Sequence, residues 1–357
     1  MRNNKSFSQR LAIFLLAATV FAIPAFCGQE PALKLLQTIT IPNVTKRFDH
    51  FNMDRRDLRL FIPAEQAKSV EVIDLRQGRV AYTISGFIMP HSIFYWPPLH
   101  ELFVGDNNGS IKVFRVDAHS YKLLKTLQLT LGPTAKVGNM RFDPATDLLY
   151  VGNYRNTIGA NGPDHVLLGI INVRTAKQVG NIRVPGRIMK AFAIEPGKSK
   201  MFVDVNDRDA VAVVNLKTRK ESAQWQIHGA ASPFALAVDE PDHRLFVVTR
   251  RPAKLIVLNS ETGQQIASLP APAGVDDAYY DRAYRRIYVS AGVGFSPKGW
   301  IAVYRQIDAN QYQSMGRIPT GAASATSLLV PRLNRYYVAV QRNGSRPAEV
   351  RVYEPEP

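Results

Sequence analysis

The stretch Asp143-Pro144-Ala145-Thr146-Asp147-Leu148-Leu149-Tyr150-Val151-Gly152-Asn153 decides the fold. An acid opens a short turn, and a three-residue aromatic-apolar strand follows it. The same arrangement recurs seven times along the chain. The strands are Leu60-Phe61-Ile62, Leu102-Phe103-Val104, Leu149-Tyr150-Val151, Met201-Phe202-Val203, Leu245-Phe246-Val247, Ile287-Tyr288-Val289 and Tyr336-Tyr337-Val338. The turn residues Asp54, Tyr95, Asp143, Glu195, Asp239, Asp281 and Pro331 each lie five to seven positions ahead of their strand.

Working outward, a second apolar run follows each triplet. These are Val70 to Leu75, Ile111 to Phe114, Leu167 to Val173, Val211 to Leu216, Leu255 to Asn259, Ile301 to Tyr304 and Val350 to Tyr353. Most alternate with period two, which marks strands rather than helices. Turns such as Arg76-Gln77-Gly78 and Glu261-Thr262-Gly263 then reverse the chain into a further strand. Four antiparallel strands repeating every ~40–50 residues form a propeller blade. The seventh repeat lacks its outermost strand, and Leu33 to Ile41 has no earlier partner. The expected architecture is therefore an all-β, seven-bladed β-propeller, closed by the N-terminal strand pairing with the last blade. Closure of this kind removes open sheet edges.

The first residues read as an export signal. Arg2, Lys5 and Arg10 precede the apolar run Leu11 to Ile23, which is short for a bilayer span and is followed by Pro24-Ala25-Phe26-Cys27. The expected division is a signal peptide over residues 1–27 and one propeller over 28–357, periplasmic or secreted, monomeric, with no membrane span after cleavage. Cys27 is the single cysteine, so the mature chain has no disulfide or thiol chemistry. The formal net charge is +16, three of it from the signal. A basic surface suits acidic partners such as anionic glycans, an envelope surface or an acidic protein. Nucleic acid is not expected, because the chain is exported and its Lys and Arg are scattered.

The segments Asp143 to Asn153, Val70-Glu71-Val72-Ile73-Asp74-Leu75 and Arg244-Leu245-Phe246-Val247 to Thr262-Gly263 resemble the YVTN-type repeat. In that repeat a strand ending Tyr-Val-small-Asn precedes one ending Val-Ile-Asp. The resemblance covers roughly residues 33 to 354 and implies the YncE-like group of exported bacterial propellers. Val248-Thr249 departs from the motif. Related propellers include surface-layer proteins, ligand- and DNA-binding modules, lactonases and a streptogramin lyase, so the resemblance implies no single activity.

Propeller symmetry places the starts of the innermost strands and the ends of the second strands around one channel mouth. Counting back from the turn residues gives Asp49, His50, His91, Asn139, Lys190, Asp276, Asp277 and Ser327, with Phe234 and Ala235 in the fifth blade. The second-strand ends add Glu65, Asn153, Tyr154, Asp204, Arg250, Arg251 and Gln341. His50, His91, Asp49 and Asp277 are the candidates for chemistry. Two imidazoles with a carboxylate suit either Zn²⁺ or general acid–base work, and carboxylates with Asn139 suit Ca²⁺. Asn139, Lys190, Asp276, Arg250, Arg251, Ser327, Asn153, Tyr154 and Gln341 are the candidates for contact with a small-molecule, glycan or protein ligand. A hydrated, purely structural channel mouth uses the same residue types. The nucleophile elbow, phosphate loop and His-Glu-x-x-His motifs are missing from the sequence. Three functions stay open: an envelope binding module, a hydrolase or lyase acting on a lactone or sugar derivative, and a surface-layer scaffold. N-terminal sequencing of protein from a periplasmic fraction should begin at Gly28; a sequence beginning at Met1 would contradict export with cleavage.

Overall fold

A computed structural model describes residues 31–131, 136–153, 164–292 and 298–357. The expected signal peptide and Tyr154 lie outside these residues. The described chain forms seven four-stranded antiparallel sheets arranged as the blades of a propeller. Strand β1 spans Leu33–Ile41. The first blade holds β2 (Asn52–Asp54), β3 (Arg59–Ala64), β4 (Ser69–Asp74) and β5 (Arg79–Ile84). The second holds β6 (Pro90–Trp96), β7 (Glu101–Asp106), β8 (Ser110–Val116) and β9 (Tyr121–Gln128). The third holds β10 (Val137–Asp143), β11 (Leu148–Asn153), β12 (His165–Asn172) and β13 (Lys177–Pro185). The fourth holds β14 (Phe192–Glu195), β15 (Lys200–Val205), β16 (Ala210–Asn215) and β17 (Lys220–Gln226). The fifth holds β18 (Ala231–Asp239), β19 (Arg244–Arg251), β20 (Ala253–Asn259) and β21 (Gln265–Pro270). The sixth holds β22 (Val275–Asp281), β23 (Arg286–Ala291), β24 (Trp300–Gln306) and β25 (Tyr312–Pro319). The seventh joins β26 (Ser327–Val330), β27 (Arg335–Val340) and β28 (Ala348–Pro355) to β1 as its outermost strand.

The recurring triplets explain why the blades stack. Successive strand residues face opposite sides of a sheet. Leu60 and Ile62 therefore enter the core against the seventh blade, while Phe61 enters the core against the second. Leu149 and Val151 face the second blade and Tyr150 the fourth. In the same way the central aromatic of every triplet crosses to the following blade. Phe202 meets Trp225 and Ala191 in the core shared by the fourth and fifth blades, and Tyr288 meets Tyr336 at 5.2 Å between ring centroids. Seven separate cores result, one at each interface between blades. Each fully buried large side chain contributes ~1.5–3 kcal/mol.

The small residue after the triplet has a steric reason. A Cβ on Gly105 would lie 2.2 Å from Val137 Cγ1, and one on Gly152 would lie 2.6 Å from Met189 Cε. The residue before each second strand also repeats its geometry. Leu58, His100, Asp147, Ser199, His243, Arg285 and Asn334 all have φ between 50° and 55°. The turn acids satisfy the backbone there: Asp54, Asp143 and Asp281 each accept an N–H from the turn they open.

Closure follows the expected register, with Leu33 opposite Pro355 and Ile41 opposite Ala348. Arg286 of the sixth blade donates to the carbonyls of Ala32 and Glu356, tying both chain ends to a neighbouring blade. No helix among the described residues is long and apolar enough to cross a membrane.

Deleting residues 33–41 removes Leu33 from one core and Ile39 and Ile41 from the next. Such a protein should lose its cooperative thermal transition and aggregate, as read by circular dichroism and size-exclusion chromatography. A soluble monomer with an unchanged melting temperature would contradict the closure.

Candidate functional site

Four of the innermost strands, β6, β10, β18 and β22, are not regular where they meet the channel. Their register with the second strand shifts between Pro90 and Ser92, between Val137 and Met140, between Pro233 and Ala235, and between Val275 and Asp277. The residues spanned by these bulges are His91, Gly138 with Asn139, Phe234 and Asp276. A bulge inserts one extra residue and re-aims its side chain. In the first blade, Asp49 N–H bonds Pro63 O and His50 bridges Ser92 of the second blade before β2 begins.

These features gather the charged side chains. Asp49, 1% exposed, lies at the centre of the first-blade group. Its Oδ1 accepts the His50 backbone N–H at 2.8 Å and stands 3.3 Å from His50 Nε2. Its Oδ2 stands 3.1 Å from His91 Nδ1 and 3.2 Å from Arg47 Nη2. Glu65 approaches the same His91 nitrogen at 2.9 Å and Arg47 Nε at 3.5 Å. His50 Nδ1 reaches across to Asp277 Oδ1 of the sixth blade at 3.1 Å. Arg47 Nη2 also comes within 4.0 Å of Asp276, which Arg250 Nη2 approaches at 3.8 Å. The two imidazole rings lie edge to face, 5.9 Å apart.

Both nitrogens of His50 thus face carboxylate oxygens, an arrangement that suits the doubly protonated ring. Burial disfavours that charge, but Asp277 and then Asp49 outweigh it and lift the imidazole to about 9. Burial pushes the Asp49 carboxyl up to about 6, against the pull of His91, His50 and Arg47. Glu65 is held below the usual range: burial would raise it, and the hydrogen bond and charge of His91, with Arg47, prevail.

The basic side of the mouth is built around Phe234. The Arg250 guanidinium carbon lies 3.2 Å from the ring centroid and Lys190 Nζ lies 5.9 Å from it. Arg250 is anchored through Nε to Val275 O at 2.9 Å. Burial lowers Lys190 to about 8, with Asp204 opposing the shift. Asp204 is fully buried. Its Oδ1 accepts the Lys190 N–H at 2.6 Å, and its Oδ2 has no hydrogen-bond partner among the described residues. Burial pushes this carboxyl up to about 7.

Of the sequence candidates, Asp49, His50, His91, Asp276, Asp277 and Arg250 converge directly, and Ser327 joins them by donating its N–H to Asp277 Oδ2 at 2.8 Å. Asn139 reaches the Lys190 carbonyl at 3.1 Å. Three candidates are directed elsewhere. Asn153 is buried and fastens the approach to its own inner strand, through Leu131 O and Lys136 N–H. Arg251 is exposed and donates to Ser232 Oγ. Gln341 lines a separate cavity of about 320 Å³ with Thr320, Asn343 and Arg351. Tyr154 lies outside the described residues. Sequence reasoning missed Arg47. Its signal was the spacing Arg47-x-Asp49-His50, which places a guanidinium on the same side of an extended chain as Asp49.

No family model and no curated protein matches the sequence. Among solved structures, a chain of "Crystal Structure of Mitotic Checkpoint Complex" is similar at a TM-score of 0.72 and 15% identity, covering 98% of this chain and 99% of that one. At that identity the likeness shows the fold alone, the seven-bladed β-propeller. Propellers of this kind are consistent with interaction modules in general.

Asp204 gives a pH test with a definite sign. The folded carboxyl keeps its proton up to about 7, whereas the unfolded chain releases it near 4. Stability from this group is complete below about pH 4 and falls as pH rises to about 7. Asp204→Asn should therefore be more stable than the parent at pH 8, on the order of a few kcal/mol, and no more stable at pH 4. Urea unfolding at both pH values checks this; an equal effect at both would contradict it.

Proposed function

We propose that this chain is an exported propeller of the YVTN-repeat, YncE-like kind that binds an acidic ligand of the bacterial cell envelope at the mouth of its central channel. The observation that carries the reading is the pair of cations, Lys190 and Arg250, gathered over the half-buried Phe234 ring. Two cations beside an aromatic ring suit a ligand that carries an acid on a flat or sugar-like body. The net charge of +13 that remains after the signal's three charges are removed would steer such a ligand toward the protein. The signal-like first residues and the recurring triplets support the location and the kind of propeller. The reading takes the protein to act as a monomer.

A second reading, a hydrolase or lyase acting on a lactone or sugar derivative, draws on Asp49, whose carboxyl at about 6 stands between two imidazoles. Against it, an imidazole lifted to about 9 is already protonated at neutral pH and does not serve there as a general base. Binding is the better supported of the two.

Calorimetric titration with purified lipopolysaccharide fragments and with acidic peptidoglycan fragments tests the proposal. Binding should weaken at least about tenfold in Arg250→Ala or Lys190→Ala, and it should weaken with added salt. Circular dichroism should show that both variants remain folded. Binding that is insensitive to both substitutions and to salt would sink the reading, and turnover of a lactone substrate would favour the enzyme.

A further inference from the structure

We propose that Asp49, His50 and His91 form a binding site for one divalent transition-metal ion of the zinc class. The site stands apart from the Phe234 face and does not depend on the ligand reading above. Its donors come from adjacent blades, brought together where His50 pairs with Ser92 across the two inner strands. One donor atom from each residue lies within 4.8 Å of the others. Donors across a tetrahedral zinc are about 3.3 Å apart, given bonds near 2 Å. Small side-chain rotations close that difference, because Asp49 already places one oxygen toward each imidazole, at 3.3 and 3.1 Å.

The surroundings also match what such a site needs. Metal-bound imidazoles are commonly oriented by a carboxylate on the other ring nitrogen. Asp277 holds His50 Nδ1 at 3.1 Å, so the proton that an ion must displace is the one on Nε2, the nitrogen facing Asp49. The nitrogen of His91 that takes part is Nδ1, which faces Asp49 at 3.1 Å and Glu65 at 2.9 Å, so an ion there would take the place of the proton shared with these carboxylates. Asp49 and His91 are buried, and the His50 side chain is 16% exposed, so one side of the site is open to water or a ligand. Three protein donors with an open position are typical of sites that keep an exchangeable ligand.

Charge points the same way. Asp49, Glu65, Asp276 and Asp277 are four buried carboxylates, and Arg47 and Arg250 are the two guanidiniums within reach of them. The imidazoles, Lys190 near Asp276 and an ion share what the guanidiniums leave, and buried charge without compensation is costly. Two imidazole nitrogens with one carboxylate oxygen favour zinc-class ions over calcium or magnesium.

A second cluster on the same molecule shows the contrast. Glu195, His243 and Glu261 also gather within ligand range. There Lys198 Nζ sits 2.6 Å from His243 Nδ1 and Lys200 Nζ sits 2.9 Å from Glu261. Lysine ammoniums already fill the cationic role, and this cluster serves as the internal control.

The test uses untagged mature protein, stripped with a chelator and dialysed against Zn²⁺ alone, with Co²⁺ as a spectroscopic substitute. Elemental analysis should return one zinc per chain, and Co²⁺ should give the intense visible bands of a low-symmetry four-coordinate site. His91→Gln and His50→Gln keep a polar side chain of similar reach and should remain folded by circular dichroism. Each should lose zinc affinity by more than the ~100-fold typical of second-shell losses, and the cobalt bands should vanish. His243→Gln should retain both. A stripped parent that takes up no zinc would overturn the proposal, as would zinc uptake that survives in the His50→Gln/His91→Gln double variant. A parent protein that takes up zinc but binds none of the acidic fragments would count against the ligand reading alone.

Discussion

A carboxylate removed from water must be compensated where it lies, and in this protein Asp49 sets that requirement at the centre of the propeller. It is almost fully buried and touches His50, His91 and Arg47. Those partners in turn face Glu65, Asp276 and Asp277, so the requirement spreads from the first blade to the second and the sixth. A buried charge with one partner removed is far costlier than the pair is stabilising. The channel mouth therefore behaves as one unit rather than as a set of independent polar residues.

The blades make that unit possible by dividing two tasks. The second and third strands bury apolar residues on both faces, in the cores between blades. The innermost strands have little apolar work at their channel ends, and there four of them bulge. Rigid cores on either side hold each bulge in place, so side chains from blades distant in sequence meet within hydrogen-bonding range. Asp277 and His50 are separated by most of the chain yet lie 3.1 Å apart.

How much of this was readable in the sequence differs between fold and site. The triplets announced the blades because alternation on a two-sided strand leaves a regular trace, and Leu33 to Ile41 was recognisable as the closing strand because one blade lacked a partner. The channel residues were located by counting back from each turn, which worked for His91, Asn139 and Asp276 to within a residue. The count carries no record of a bulge, since an inserted residue alters side-chain direction without altering composition. It therefore could not separate Asp276, which meets Arg250, from Asp277, which meets His50. The rule for second-strand ends was weaker. Strand β19 has eight residues where β11 has six, so Arg251 runs past the mouth. Asn153 turns back to fasten a loop, as Asp106 does in the second blade through the N–H groups of Ile88 and Met89. Arg47 went unread because it precedes the first inner strand by several residues and belongs to no repeat.

The central claim is that the channel mouth is a single charge-compensated ring linking blades that are not neighbours. A double-mutant cycle between His50→Gln and Asp277→Asn, followed by urea unfolding of chelator-treated protein at neutral pH, tests it most directly. A coupling energy on the order of 1–3 kcal/mol is the result this account predicts. Additive effects, equal within about 0.5 kcal/mol, would contradict it.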